Sequence, residues 1–332
     1  MRVAAVALLA LAALGERVHA ADIERAKHEG TLSLHTSMQV VDSGPLTQAF
    51  ERKYGIRVQL WRASGEHLVQ RAVTEARAGR HEVDVFETDG AQMEILHRER
   101  LLAPFPLAAV GGIPREIIPA HGDYVPTRLS LYVMAYNTRL VKPEDVPKSY
   151  AEVLDRKWAG RIGLEAADVA WFAATAKGMG EERGIAFFRE LAALKPSMRG
   201  GHTLLAELVA AGEVPLVLDA HVQGVARLKA RGAPIDWKPL DPAFGQPSSV
   251  GIARTAPHPN AAALFAEFML SRDGQEIIKA RNRVPVSTAV DSPLNKFRYA
   301  VIDPAIVLDE WDRWEKLWSG LFLGGKPVKS EE

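Results

Sequence analysis

Cysteine is absent from all 332 residues, which excludes a disulfide framework, a thiolate metal site and a thiol nucleophile. Excess charge of either sign is absent too, with 41 Lys and Arg against 41 Asp and Glu. Nothing in that balance supports binding to nucleic acid or to a membrane surface. Beyond the first twenty residues no apolar run approaches the roughly 20 residues that span a bilayer. The G-x-S-x-G elbow, H-E-x-x-H, the phosphate-cradling P-loop and G-x-G-x-x-G are all missing, so no common enzyme signature is present. Internal repeats and low-complexity tracts are missing as well. The one conspicuous apolar stretch is N-terminal. Arg2, the run Val3–Leu14 and the small-residue pattern Val18-His19-Ala20 read as a secretory signal peptide over residues 1–20, cleaved before Ala21. Export is the expectation, and the exported chain is long enough for two domains that must rely on their cores.

What is present is an α/β pattern. Three short apolar strands are expected at Thr31–His35, Ile56–Leu60 and Val83–Phe86. Each runs into a polar cluster: Thr36, Ser37 and Gln39; Ser64, Gly65 and Glu66; Glu87, Thr88 and Asp89. Pro45 is expected to open the helix between the first two strands and Gly55 to close it. The second helix is expected to start near Ser64 and end at Gly79. Right-handed crossovers put all three clusters on one edge of a parallel sheet, where ligands of such sheets collect.

From Leu129 to Asn137 the sequence LSLYVMAYN is too long and uniform for an edge strand, and a second α/β set follows it. Strands are expected at Arg161–Leu164, Pro215–Leu218, Ile235–Trp237 and Val250–Arg254. Helices are expected at Trp171–Lys177, Gly184–Leu194, Thr203–Ala211 and Asn260–Leu270, the last with an apolar face. The new strands exit into Glu165–Asp168 and Asp219–His221, so two lobes with polar strand exits form a cleft able to close as a hinge. Trp311, Trp314 and Trp318, at helical spacing, are expected to pack a C-terminal helix onto a lobe.

Several pieces resemble, in order along nearly the whole exported chain, the solute-binding proteins of ABC transporters. The cluster is the one containing the periplasmic ferric-ion-binding proteins. The pieces are LHTS at Leu34–Ser37, ASGE at Ala63–Glu66, DVFETD at Asp84–Asp89, VMAYNT at Val133–Thr138, VPKSYAEVLDRKWAGRIG at Val146–Gly163, AGEVPL at Ala211–Leu216 and VGIARTAPHPNAAALFAEFMLSRDGQEII from Val250. The resemblance implies a two-lobed periplasmic binding protein fold of type II, hinged by two crossover strands, Leu131–Tyr136 and one near Val250–Arg254. Residues 21–130 and 251–300 are then expected to form lobe 1, and residues 131–250 and 301–332 lobe 2. It also implies a monomer in the periplasm that hands its ligand to an inner-membrane permease, with iron(III) as the cargo. Ferric-binding relatives hold the metal with paired tyrosines, here Ala220 and His221. The first-lobe His and Glu positions read Gln39 and Asp89, and the anion-holding serine and glycine positions fall on Asp168 and Val169.

Two ligand chemistries are open to these residues. Asp89, Asp168, Asp219 and His221 offer an oxygen-rich metal site with one imidazole; the alternative is helix capping and pairing with arginines. Thr36, Ser37, Ser64 and Gly65, with Gly200-Gly201-His202-Thr203 in the second half, stand at expected helix N-termini. Free N–H groups there favour a phosphate, phosphonate or carboxylate, and ordinary N-capping is the alternative. Tyr132 and Trp171 are candidates to flank an organic ligand, core packing being the alternative for Trp171.

Overall fold

The computed structural model describes residues 22–328; the expected signal peptide and residues 329–332 lie outside that range. Helix α1 (Ile23–Glu29) is capped by the Asp22 carboxylate, which accepts from the Glu24 and Arg25 amides. Strands β1 (Thr31–Thr36), β2 (Arg57–Arg62) and β3 (Val85–Asp89) alternate with α2 (Val40–Tyr54), α3 (Gly65–Arg77) and α4 (Gly90–Arg98). They pair in parallel in the order β2-β1-β3. Gly55 closes α2 in the left-handed conformation, as expected (φ 73°). Pro45 does not open α2 but lies inside it, because Gln39 caps a full turn ahead of the proline, with the Asp42 and Ser43 amides bonded to its carbonyl.

The long strand β4 (Tyr124–Asn137) ties the two halves together. Its first half pairs antiparallel with the strand at Phe244–Ile252, and its second half enters another sheet. After β4 come α5 (Tyr150–Val153), β5 (Ile162–Glu165), α6 (Val169–Gly178), α7 (Glu181–Ala193), β6 (Ser197–Arg199), α8 (His202–Ala211), β7 (Leu216–His221), α9 (Val222–Ala230) and β8 (Ile235–Lys238). The chain returns through β9 (Phe244–Ile252) and ends with α10 (Pro259–Leu270), α11 (Arg272–Ala280), the two-residue strands β10 (Val284–Pro285) and β11 (Ala300–Val301), α12 (Pro304–Asp309) and α13 (Trp311–Phe322). The hydrogen-bonded order is β2-β1-β3-β9-β4-β7-β5-β6, with β8 also on β4.

Strand β9 begins six residues before the expected Val250. Gly245, Pro247 and two serines disguise it in sequence. Tertiary pairing with β3 on one side and β4 on the other overrides that weak propensity. Apolar residues on both sides of the crossing strands build the cores. Phe50 of α2 packs edge-on to Phe265 of α10, 5.0 Å between centroids. In the second half Phe172 of α6 packs against Trp314 and Trp318 of α13, each at 5.4 Å, and Trp311 stays exposed. Gly184 lets α7 lie on α6: a Cβ there would sit 2.4 Å from the Ala176 backbone.

Candidate functional site

The two crossing strands form the floor of the site. Strand periodicity puts Arg128, Ser130 and Tyr132 of β4 on one face, and Gln246 and Ser248 of β9 likewise share a face. The Tyr132 hydroxyl lies 2.9 Å from Gln246 Oε1 and 3.1 Å from Asp168 Oδ1. Gln223 Nε2 donates to Ser130 Oγ at 3.0 Å. Arg128 donates to Glu87, whose other oxygen accepts from Thr36 Oγ1. Burial works against the Arg128 charge, but Glu87 and Asp89 hold the guanidinium above its ordinary value.

On the β5–β7 side the turns after β5, β6 and β7 converge. Glu165, at the end of β5, accepts from the Ala167 amide at 2.6 Å and the Gly201 amide at 3.1 Å. One carboxylate thereby fixes both the turn carrying Asp168 and the turn carrying His202. Gly201 can make that approach because its φ is +90°. Trp318 of α13 donates from Nε1 to the Ala166 carbonyl at 2.8 Å, clamping the same turn from outside. Ligand-capable atoms of Glu165, Asp168 and His202 all lie within 4.8 Å of one another, and His202 Nε2 is 3.6 Å from Asp168 Oδ2.

His221 stacks on His202 with centroids 3.5 Å apart. Burial holds His202 down to about 4 and pushes His221 well below its usual range, the neighbouring His202 adding to the second effect. Both are therefore neutral near pH 7, and the Nε2 of His221 has no hydrogen-bond partner. Burial also drives the Asp219 carboxyl well above the carboxylate range; the hydrogen bond from the Glu165 amide opposes this and the Glu165 charge adds to it.

The structure brings Tyr132, Asp168, His202 and His221 together, but it regroups the metal candidates. Asp219 is fully buried beneath the site, where its Oδ2 accepts from the Glu165 amide at 2.8 Å. Asp89 accepts from Ser248 Oγ at 2.6 Å and stands outside the cluster. Glu165 and His202 join Asp168 in the cluster, and His221, another metal candidate, is not a member of it. Trp171 is corrected from a ligand wall to core: it is 1% exposed and packs edge-on to Phe188, because the first turn of α6 points it inward.

The first-half candidates act mostly as local structure. Ser64 Oγ caps α3 by accepting from the His67 amide. At Gly65 a Cβ would meet Gln92 Cγ at 2.9 Å and Thr88 Oγ1 at 3.0 Å, so a larger residue there would have to displace the Gln92 side chain. Thr36 is buried on Glu87 and accepts from the Met38 amide. The Ser37 amide donates to the Glu87 carbonyl. Gln39 caps α2 through its backbone alone, its side chain exposed. Glu87 and Glu165 sit in the polar clusters read from the sequence without being singled out. Counting back by two from Tyr132 would have reached Arg128; nothing local signals Gln246.

Residues 92–309 match the model of a family described as bacterial extracellular solute-binding protein. The chain belongs to that family. This solute-binding protein is 23% identical over 257 residues to the Fe(3+)-binding periplasmic protein of Serratia marcescens, covering 74% of this chain and 75% of that one. Its fold is similar to a Trichodesmium structure, IdiA or FutA in complex with iron and citrate (TM-score 0.77, 20% identity, covering 90% of this chain and 100% of that one). It is similar also to AfuA of Actinobacillus pleuropneumoniae with fructose-6-phosphate bound (TM-score 0.71, 21% identity, 89% and 99% covered). The fold is thus the two-lobed one expected from the sequence, with β4 and β9 crossing between the lobes. Among the described residues no helix is long and apolar enough to cross a membrane.

Proposed function

We propose that this protein is exported to the periplasm, captures ferric iron between its two lobes, and hands it as a monomer to the permease of an ABC importer in the inner membrane. Lobe 1 comprises residues 21–130 and 251–300, lobe 2 residues 131–250 and 301–332, and the hinge is β4 with β9. The observation that carries the iron reading is the grouping of Glu165, Asp168 and His202 at the second-lobe strand exits. Carboxylate oxygens are hard donors suited to Fe(III), and a neutral imidazole adds a nitrogen. The names of relatives such as the Serratia protein point the same way. A ligand biases a hinge only through interactions that the closed form has and the open form lacks. The first lobe must therefore add donors; Asp89, Ser37 and Gln39 stand at its strand exits.

A second reading is a phosphorylated, phosphonate or carboxylate organic anion. It is favoured by the half-buried, neutral His221, whose solvent-shielded Nε2 has no partner and can donate a hydrogen bond without charge. Thermal unfolding of residues 21–332, with ferric citrate, ferrous iron, other divalent metals, citrate alone and sugar phosphates, separates the readings. Ferric iron should raise the midpoint, and the rise should vanish in Asp168→Ala with His202→Ala. No rise with any iron species, beside a clear rise with an anion, would replace the first reading by the second.

A further inference from the structure

A second group of metal-ligand side chains lies on the far side of the first lobe. Helix α4 starts at the cleft end of β3 and carries Glu94 and His97 three residues apart, hence on one face. At 1.5 Å per residue, His97 is about 10 Å along the helix from that end. The loop entering β4 brings His121 and Asp123 against it. His97 Nδ1 is 2.7 Å from Asp123 Oδ2, and His121 Nε2 is 3.4 Å from Glu94 Oε2. The two imidazoles stack, with centroids 3.6 Å apart and planes 14° from parallel. Ligand-capable atoms of His97, His121 and Asp123 lie within 4.8 Å of one another.

We propose that His97, His121 and Asp123, with Glu94 completing the set, form a site for a borderline divalent cation of the zinc and nickel type, separate from the cleft. Two imidazoles and two carboxylates are the donors such ions prefer. A tetrahedral ion with bonds of about 2.0–2.1 Å needs ligand atoms roughly 3.3 Å apart with their lone pairs converging, so the two stacked rings must turn out of parallel to ligate together. Rotation is open to them: His97 and His121 are partly exposed, 27% and 24%. A cavity of about 300 Å³ lined by Glu94, His121, Glu116 and Asp303 opens beside them, giving an acidic path of entry. Glu94 is held in place by Arg98 Nε at 2.9 Å and the Tyr124 hydroxyl at 3.0 Å, which orients the oxygen facing His121. The bound cation would pin the end of α4 to the start of β4. This inference does not depend on what the cleft binds.

The test uses residues 21–332 with Zn²⁺ and Ni²⁺ as probes, in competition with a chromophoric chelator and by thermal unfolding. One equivalent should bind in the cleft variant Asp168→Ala with His202→Ala, and raise its unfolding midpoint. His97→Gln with His121→Gln should weaken that binding at least tenfold and abolish the rise. Asp123→Asn alone should weaken it less, and circular dichroism would confirm that each variant is folded. Binding undiminished in the His97 and His121 variant would overturn the proposal. So would binding lost only in the cleft variant, or no binding to the unaltered chain.

Discussion

Tyr132 and His221 face each other across the antiparallel register of β4 and β7, with ring centroids 5.1 Å apart. His221 fills a position at which ferric-binding relatives are expected to carry tyrosine, and the tyrosine beside it belongs to the hinge strand. Burial, with Asp168 next, pushes the Tyr132 phenol far up, so it acts as a neutral donor in the ion-pair-rich floor. Tyr132→Phe should leave the fold intact, cost about 1–2 kcal/mol for the lost hydrogen bond, and weaken ligand binding by loosening Asp168. Urea unfolding and ligand titration on the same variant check both halves. Unchanged affinity would remove Tyr132 from the site.

Acid should destabilise the protein through the stacked histidines. His202 and His221 remain neutral when folded but take up protons when unfolded below about pH 6.5. The unfolded state therefore binds more protons between about pH 6.5 and 4, and stability falls as the pH drops through that window. For His202 alone the loss is on the order of 3 kcal/mol. Thermal melts from pH 7 to 4 should show a shallower decline in His202→Gln than in the unaltered chain.

Asp219 contributes the opposite slope. Its carboxyl keeps its proton to higher pH in the fold than in the unfolded chain, where it ionises above about pH 4, so its contribution favours folding at low pH and is lost as the pH rises. Asp219→Asn keeps an oxygen to accept from the Glu165 amide and removes the titration. The variant should be the more stable form at pH 8 and lose stability more steeply on acidification. A lower midpoint at pH 8 would contradict this.

Arg128→Met leaves Glu87 buried at 1% exposure without its cation. Breaking such a pair from one side costs about 3–5 kcal/mol. Adding Glu87→Gln should recover most of that loss, measured by urea unfolding, because the unpaired charge and not the missing attraction dominates the penalty.

Trp171→Leu tests the placement of that ring in the core. Stability should fall by about 2–3 kcal/mol from lost packing against Phe188, while the folded protein keeps its ligand affinity. A drop in affinity larger than tenfold would return Trp171 to the ligand wall.

The strand exits are legible in the sequence because period-two alternation and abrupt polar clusters are local signals. Asp168 and His221 follow from them as neighbours of the site, and His202 from an expected helix N-terminus. Asp219 and Trp171 do not, because a residue at a strand exit or first helical turn can face the cleft or the core, and local sequence does not distinguish the two. Arg128 sits on the right face of β4 for the site, yet its partner Glu87 is 41 residues away, beyond any local pattern.

The sequence by itself determined the expectation of export, the absence of thiol chemistry, the alternating α/β order and the ordered resemblance to a solute-binding family. The first three follow from composition and from periodicities that each segment carries alone, and the last rests on motifs met in order along the chain. Tertiary structure decided the length of β9, whose serines and proline become strand only between β3 and β4. It also decided the grouping of Glu165, Asp168 and His202, because a single carboxylate reaching two backbone amides sets the geometry of both turns. Such a group depends on which loops the sheet brings together, and that is fixed by packing between segments far apart in the chain.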